Sequence, residues 1–278
     1  MGRASRIGGA GRGSITEVAD GVHLVQGTNV NWTLLQSADE PGCTLVDTGY
    51  RADRGRLVDS LRHLGFLPRD IAAVLITHGH VDHIGSAGWL AHEHGTPVLA
   101  GAGELPHLRG ESVEQIGALD FLATARTVAG ARWVAQTLWA LRGELHPRIP
   151  EARAYDGLLD RLAEERGDGS RRLAVPGRPV PVATPGHTSG HTCWWLPEQR
   201  VMLTGDALVT GHALLADEGP QLVPRAFHHN PARAVEALAR LVEAVPEAAG
   251  TDVTLAPGHG RAWTGPLAEA VRLAHAGL

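Results

Sequence analysis

A chain of 278 residues with 43% hydrophobic content and a mean hydropathy of −0.08 can bury a full core as one large α/β domain. No apolar run is long enough to cross a bilayer, and a formal charge of −5 with pI near 6.3 lacks the basic surplus of a nucleic-acid surface, so neither membrane nor nucleic acid is an expected partner. All 25 basic residues are arginine, scattered along the chain, and the two cysteines, Cys43 and Cys193, each lie in an apolar run that suits a buried free thiol in a reducing cytosol.

Residues 1–14 are basic and glycine-rich without the apolar core of a secretory signal, which predicts a disordered leader on a cytoplasmic protein whose single domain spans 15–278. From residue 15 the runs GVHLVQG, NWTLLQS and CTLVDTG, separated by Gly, Asn, Asp and Pro, predict a β-meander. Leu57, Val58, Leu61 and Leu64 recur at helical spacing over about 51–65 before Gly65, and IAAVLIT then reads as a buried strand. A helix over 86–94 ending at Gly95 and the strand PVLA complete a β–loop–α–β unit. Between about 104 and 167 the strand signal vanishes, and Val113, Ile116, Leu119, Leu122, Val128, Trp133, Val134, Leu138 and Leu141 form a helical apolar stripe, which predicts a helical insertion. Strands resume with VPVAT, TCWWL and VMLTGD. Asn230-Pro231 then opens a helix to about 244, and the strand DVTLAPG and a helix from about 266 close the chain.

The sharpest local signal is His78-Gly79-His80-Val81-Asp82-His83, directly after a buried strand. Alternate residues of extended chain point opposite ways, so side chains packed this densely converge only if the chain bends, which Gly79 permits. A solvated histidine-rich loop would leave the aspartate and the strand-end position unexplained. TPGHTSGH with His187, LTGD with Asp206 and APGHG with His259 repeat the same context, each at a strand end beside glycine, where a rigid sheet presents functional groups. Imidazoles and carboxylates in this mix suit zinc, with manganese or iron as alternatives.

These motifs, in this order, resemble the metallo-β-lactamase superfamily over about 15–262 apart from the insertion. The resemblance implies a four-layer αβ/βα sandwich with two zinc ions at one edge between two sheets. It assigns His78, His80 and His187 to one ion, Asp82, His83 and His259 to the other, and Asp206 to the bridge. Asp47, in VDTG, matches a position that supports the ligands by hydrogen bonding, and His191 is read as a similar support. Between two cations a bridging water loses its proton at neutral pH, which implies a hydrolase in which metal-bound hydroxide attacks, with Asp82 steering or receiving a proton.

Asn29, Asn31 and Trp32 occupy a turn that either overhangs the metals or forms a plain hairpin, and His212 follows Asp206 closely enough to approach the pocket. The insertion carries Phe121, Trp133, Trp139 and Tyr155, read as a cap lining a substrate pocket, with a homodimer contact or plain core packing as the other readings. His228 and His229, before a helix cap, are given no role.

TPGHTSGHT resembles glyoxalase II, but the 19 residues after His259 leave no room for that family's glutathione-holding domain. Quorum-quenching lactonases share the ligand set, although the tyrosine they use after the bridging Asp is replaced here by ALVTGH. True β-lactamases lack the bridging Asp and are exported. The resulting expectation is hydrolysis of a small thioester, ester or lactone. The alternatives are a mononuclear iron persulfide dioxygenase, and a phosphodiesterase or nuclease.

Overall fold

The computed structural model describes residues 14–157, 159, 164–165 and 171–277. All but the last residue of the leader expected over 1–14, and part of the insertion, therefore lie outside the described residues.

Two sheets are packed face to face between helices. The first runs in chain order through β1 (Ile15–Ala19), β2 (Val22–Gln26), β3 (Asn31–Ser37), β4 (Glu40–Val46), β5 (Ile71–Leu75), β6 (Val98–Ala100) and β7 (Arg153–Ala154), antiparallel as far as β4 and parallel beyond it. Helices α1 (Arg54–His63) and α2 (Ala87–His94) return the chain between parallel strands. Gly95, at φ 67°, ends α2 in the left-handed conformation that glycine takes without strain. After β6 come α3 (Leu105–Leu108), α4 (Ala118–Thr124) and α5 (Val128–Leu141), and Glu164–Glu165 (β8) pairs with Arg171–Arg172 (β9). The second sheet is β10 (Val180–Ala183), β11 (Thr192–Leu196), β12 (Val201–Gly205), β13 (Asp252–Pro257) and β14 (Trp263–Pro266), with α6 (Pro231–Ala244) and α7 (Leu267–Ala276) on its outer face. Among the described residues no helix is long and apolar enough to cross a membrane.

The two-residue period of the strands sorts their side chains into three cores. On β11, Cys193 and Trp195 face the α6–α7 layer, while Trp194 and Leu196 face the other sheet. On β5, Ala73 and Leu75 face the second sheet, while Val74 joins the core under α1 and α2. Strands covered on both faces read as continuous apolar runs, which is why IAAVL and VMLTG are legible without alternation. Both cysteines are free and buried, and burial pushes each thiol up to about 12.

Two expectations need correction. The segment after β6 is not purely helical, because Arg153–Ala154 pairs with β6; a two-residue strand is too short to leave a periodic pattern. Nor is its apolar stripe uniformly buried: Trp133, Val134 and Leu141 pack inward, whereas Val113, Leu119, Leu122, Val128 and Leu138 are exposed. Helical spacing identifies a common face but not what covers it.

Asn230 caps α6, its side chain accepting the Arg233 backbone N–H at 3.1 Å with Pro231 in the first turn. Asn230→Ala should lower unfolding free energy by about 1 kcal/mol, read as a drop in the urea midpoint at unchanged slope.

Candidate metal centre

Strand direction gathers the site. β4, β5 and β6 are parallel, so Asp47 and the loop His78–His83 leave one edge of the first sheet. In the second sheet β10 and β12 both run antiparallel to β11, and β13 runs parallel to β12, so His187, Asp206 and His259 also share one edge. The two edges meet. A turn closed by His83 N–H donating to the His80 carbonyl at 2.9 Å folds the first loop. Gly79 does not supply the expected bend through an unusual φ; it supplies space, since a Cβ there would lie 3.0 Å from Glu104 Oε1.

Three overlapping groups result, His78/His80/His187, His78/His83/Asp206 and Asp82/His83/His259, each with its ligand atoms within 4.8 Å of one another. His187 Nε2 lies 3.2 Å from His78 Nε2 and 3.0 Å from His80 Nδ1. Asp206 sits between the groups, with Oδ2 3.6 Å from His187 Nε2 and 3.1 Å from His259 Nε2, and Oδ1 3.5 Å from His83 Nε2. Asp82 Oδ2 is 3.4 Å from His259 Nε2 and 3.7 Å from His83 Nε2.

The partners on the far side of each ring settle which nitrogen faces inward as a lone pair. Thr77 Oγ1 donates to Asp47 Oδ2 and so accepts from His78 Nδ1–H at 3.0 Å, leaving His78 Nε2 bare. His80 Nε2–H donates to the Glu114 carbonyl at 2.7 Å, His83 Nδ1–H to Asp47 Oδ2 at 2.8 Å, and His259 Nδ1–H to the Asn29 carbonyl. His228 Nε2–H donates to the Val223 carbonyl at 3.2 Å, so its Nδ1 accepts from His187 Nδ1–H at 3.3 Å. Five buried imidazoles thus aim lone pairs at two carboxylates, and the buried atoms His83 Nε2 and Asp206 Oδ1 have no hydrogen-bond partner. Electron-rich atoms at this spacing repel one another unless positive charge, a metal ion or in its place a proton on His83, lies between them. The donor set therefore fits metal.

The electrostatics divide accordingly. Burial, reinforced by neighbouring histidines, holds His78 and His187 well below the ordinary imidazole range. Burial also opposes charge on His83, yet Asp82, Asp206 and Asp47 raise it to about 10. The carboxylate-rich half of the site is the half that attracts positive charge.

His191 bonds the backbone of Asp206 and packs on His78. It accepts the Asp206 N–H at 3.2 Å on Nε2, pairs with Thr184 Oγ1 at 2.8 Å through Nδ1, and stacks on His78. The Asn31 amide donates to the Pro257 and Gly260 carbonyls at 2.9 and 2.8 Å and holds the His259 loop. Trp32 and Tyr155, offered by the sequence as pocket residues with core packing as the other reading, lie in the core. Trp32 packs under α1 with its indole N–H on Ser60 Oγ, and Tyr155 packs against Trp194 between the sheets. Trp133 packs at tilted or edge-to-face angles against Phe121, Phe227 and His212, and His212 packs on His259. His228, given no role on its sequence, is the partner of His187, and nothing in its spacing links it to a residue 41 positions away.

The family model of the metallo-beta-lactamase superfamily matches residues 25–259. A probable metallo-hydrolase of Bacillus subtilis (strain 168), YflN, is 28% identical over 256 residues, covering 90% of this chain and 87% of the relative. A metallo-beta-lactamase family protein from Thermus thermophilus shares 27% identity at a TM-score of 0.59, covering 94% of this chain and 80% of its own. A subclass B3 metallo-beta-lactamase of Bradyrhizobium japonicum, 19% identical at a TM-score of 0.53 over 94% of this chain and 81% of its own, shares the fold.

A Cβ at Gly258 would lie 2.3 Å from Asp206 Oδ1 and 2.8 Å from His83 Cε1. Gly258→Ala should therefore weaken metal binding by about tenfold or more while far-UV circular dichroism stays unchanged, as chelator competition would show.

Proposed function

This chain belongs to the metallo-β-lactamase superfamily of metal-dependent hydrolases, and from that premise we propose a dinuclear zinc hydrolase acting on a small thioester, ester or lactone. The observation that carries this reading is the convergence of five inward lone pairs on Asp82 and Asp206, more donors than one ion needs. His78, His80 and His187 would hold one ion, Asp82, His83 and His259 the second, with Asp206 between them. When bound, such a pair acidifies water and polarises a carbonyl or phosphoryl oxygen.

The chain's own residues supply the rest. A cavity of about 470 Å³ opens on His259 and His212 and is lined by Asn29, Asn31 and Arg261 among others, a size suited to a small molecule. His212 Nδ1 accepts the Leu214 backbone N–H at 3.1 Å, so in the neutral ring Nε2 carries the proton. Burial, with His259 beside it, pushes His212 down to about 4, so at neutral pH it is a fixed uncharged donor at the cavity wall. It is suited to hold the substrate carbonyl oxygen as negative charge develops there. Asp82, less buried than the ligands around it, is placed to receive or steer a proton. The Trp133, Phe121 and Phe227 rings beside His212 exclude water from that side.

Elemental analysis of anaerobically purified protein should count about two zinc ions per chain, with a His80→Ala control losing occupancy, followed by thioester, lactone and phosphodiester panels. One iron per chain would overturn the dinuclear hydrolase and put persulfide oxidation first. His212→Ala should keep its metal and lose on the order of 10²-fold in kcat. An Asp82→Asn enzyme with both ions and full activity would remove Asp82 from proton transfer.

A further inference from the structure

Two acidic residues that no motif singled out each touch both halves of the site, Glu104 through its carboxylate alone and Glu114 through its carboxylate and main-chain carbonyl together. Glu104, 1% exposed, stands just after β6. Its Oε1 accepts the Gly79 N–H at 2.7 Å, and its Oε2 accepts the Thr188 hydroxyl at 2.7 Å and the Gly190 N–H at 3.1 Å. One carboxylate thus ties the loop between His78 and His80, which belongs to the first sheet, to the loop after His187, which belongs to the second. Glu114, ten residues on, repeats the arrangement. Its main-chain carbonyl takes the His80 Nε2–H at 2.7 Å, and its carboxylate takes the Ser189 N–H and hydroxyl, each at 2.7 Å.

Close backbone approach supports the same contact. A Cβ on Gly190 would fall 2.1 Å from Glu104 N, and one on Gly101 would fall 2.4 Å from the Gly190 carbonyl oxygen, so the glycines let the 101–104 and 188–190 segments touch. One backbone bond also crosses beneath the loops, from Thr192 N–H to the Thr77 carbonyl at 2.9 Å, but it does not hold the loops themselves together. Strand pairing cannot do it, because the two loops leave different sheets.

We infer that Glu104 and Glu114 are positioning residues that clamp the two sheet edges together and thereby set the separation of His78, His80 and His187 needed to hold an ion. The inference rests on the metal reading of those three histidines. It also ties the first ion's site to the root of the segment carrying Phe121 and Trp133, since that segment begins at the clamp.

The test is a cobalt(II) titration of chelator-stripped full-length protein, followed by visible absorption, with zinc affinities from chelator competition. His187→Ala identifies which binding step belongs to the three-histidine group. Glu104→Gln keeps the volume but has one acceptor oxygen, and its amide N–H₂ would face a backbone N–H or the Thr188 hydroxyl. It should weaken the three-histidine step by about 10- to 100-fold and alter its cobalt spectrum, while the Asp82/His83/His259 step keeps its affinity. Ser189→Ala, which removes only one hydroxyl from Glu114, should shift the same step in the same direction by a smaller factor, and it carries the test if Glu104→Gln fails to fold. Unchanged affinities, or equal loss at both steps, would overturn the clamp. Wild-type protein that takes up no cobalt or zinc would overturn the metal reading itself, and the clamp with it.

Discussion

The structure depends on a mutual repulsion that it holds in place. Five ring nitrogens and the carboxylates of Asp82 and Asp206 converge with their electron pairs facing one another, largely shut off from water. Left to itself each imidazole would rotate or change tautomer to find a donor. None can, because the second nitrogen of every ring is committed elsewhere: to Thr77, to the carbonyls of Glu114 and Asn29, to Asp47, or to His228. The outer partners are thus what make the histidines a donor set for a cation rather than a self-satisfied hydrogen-bond network.

Asp47 shows the cost of that commitment. It sits at φ 60°, a conformation unfavourable for a residue with a Cβ, directly after β4. Its carboxylate takes the Thr77 N–H, the Thr77 hydroxyl and the His83 ring N–H together, and so orients His83 directly and His78 through Thr77. These bonds offset local strain that the backbone alone would not adopt.

The second dependence is on the joint between sheets. The core of Leu35, Leu75, Leu99, Trp194 and Leu203 fixes the sheets' overall separation, but packed aliphatic side chains do not aim a loop. Directional hydrogen bonds at the edge do, which is where Glu104 and Glu114 lie. The aromatic wall of Trp133, Phe121 and Phe227 belongs to the opposite side of the site, against His212 and His259.

Local patterns were legible in the sequence because their causes are local. His78 to His83 fall within one turn, the other site residues each follow a strand and adjoin glycine, and strands buried on both faces read as apolar runs whatever their partners. Tertiary structure decided what depends on residues far apart in the chain. Trp32 turned into the core because strand parity, not residue type, chooses a side chain's face, and Tyr155 because the packing of the two sheets against each other covers it. His228 became the partner of His187, and Glu104 and Glu114 became the link between loops, because packing the two sheets face to face brought their loop-bearing ends together. By itself the sequence determined the fold class and the candidate donor residues. The orientation of those donors, and hence whether they converge as lone pairs, was decided only when hydrogen bonds between distant segments removed each ring's freedom to turn.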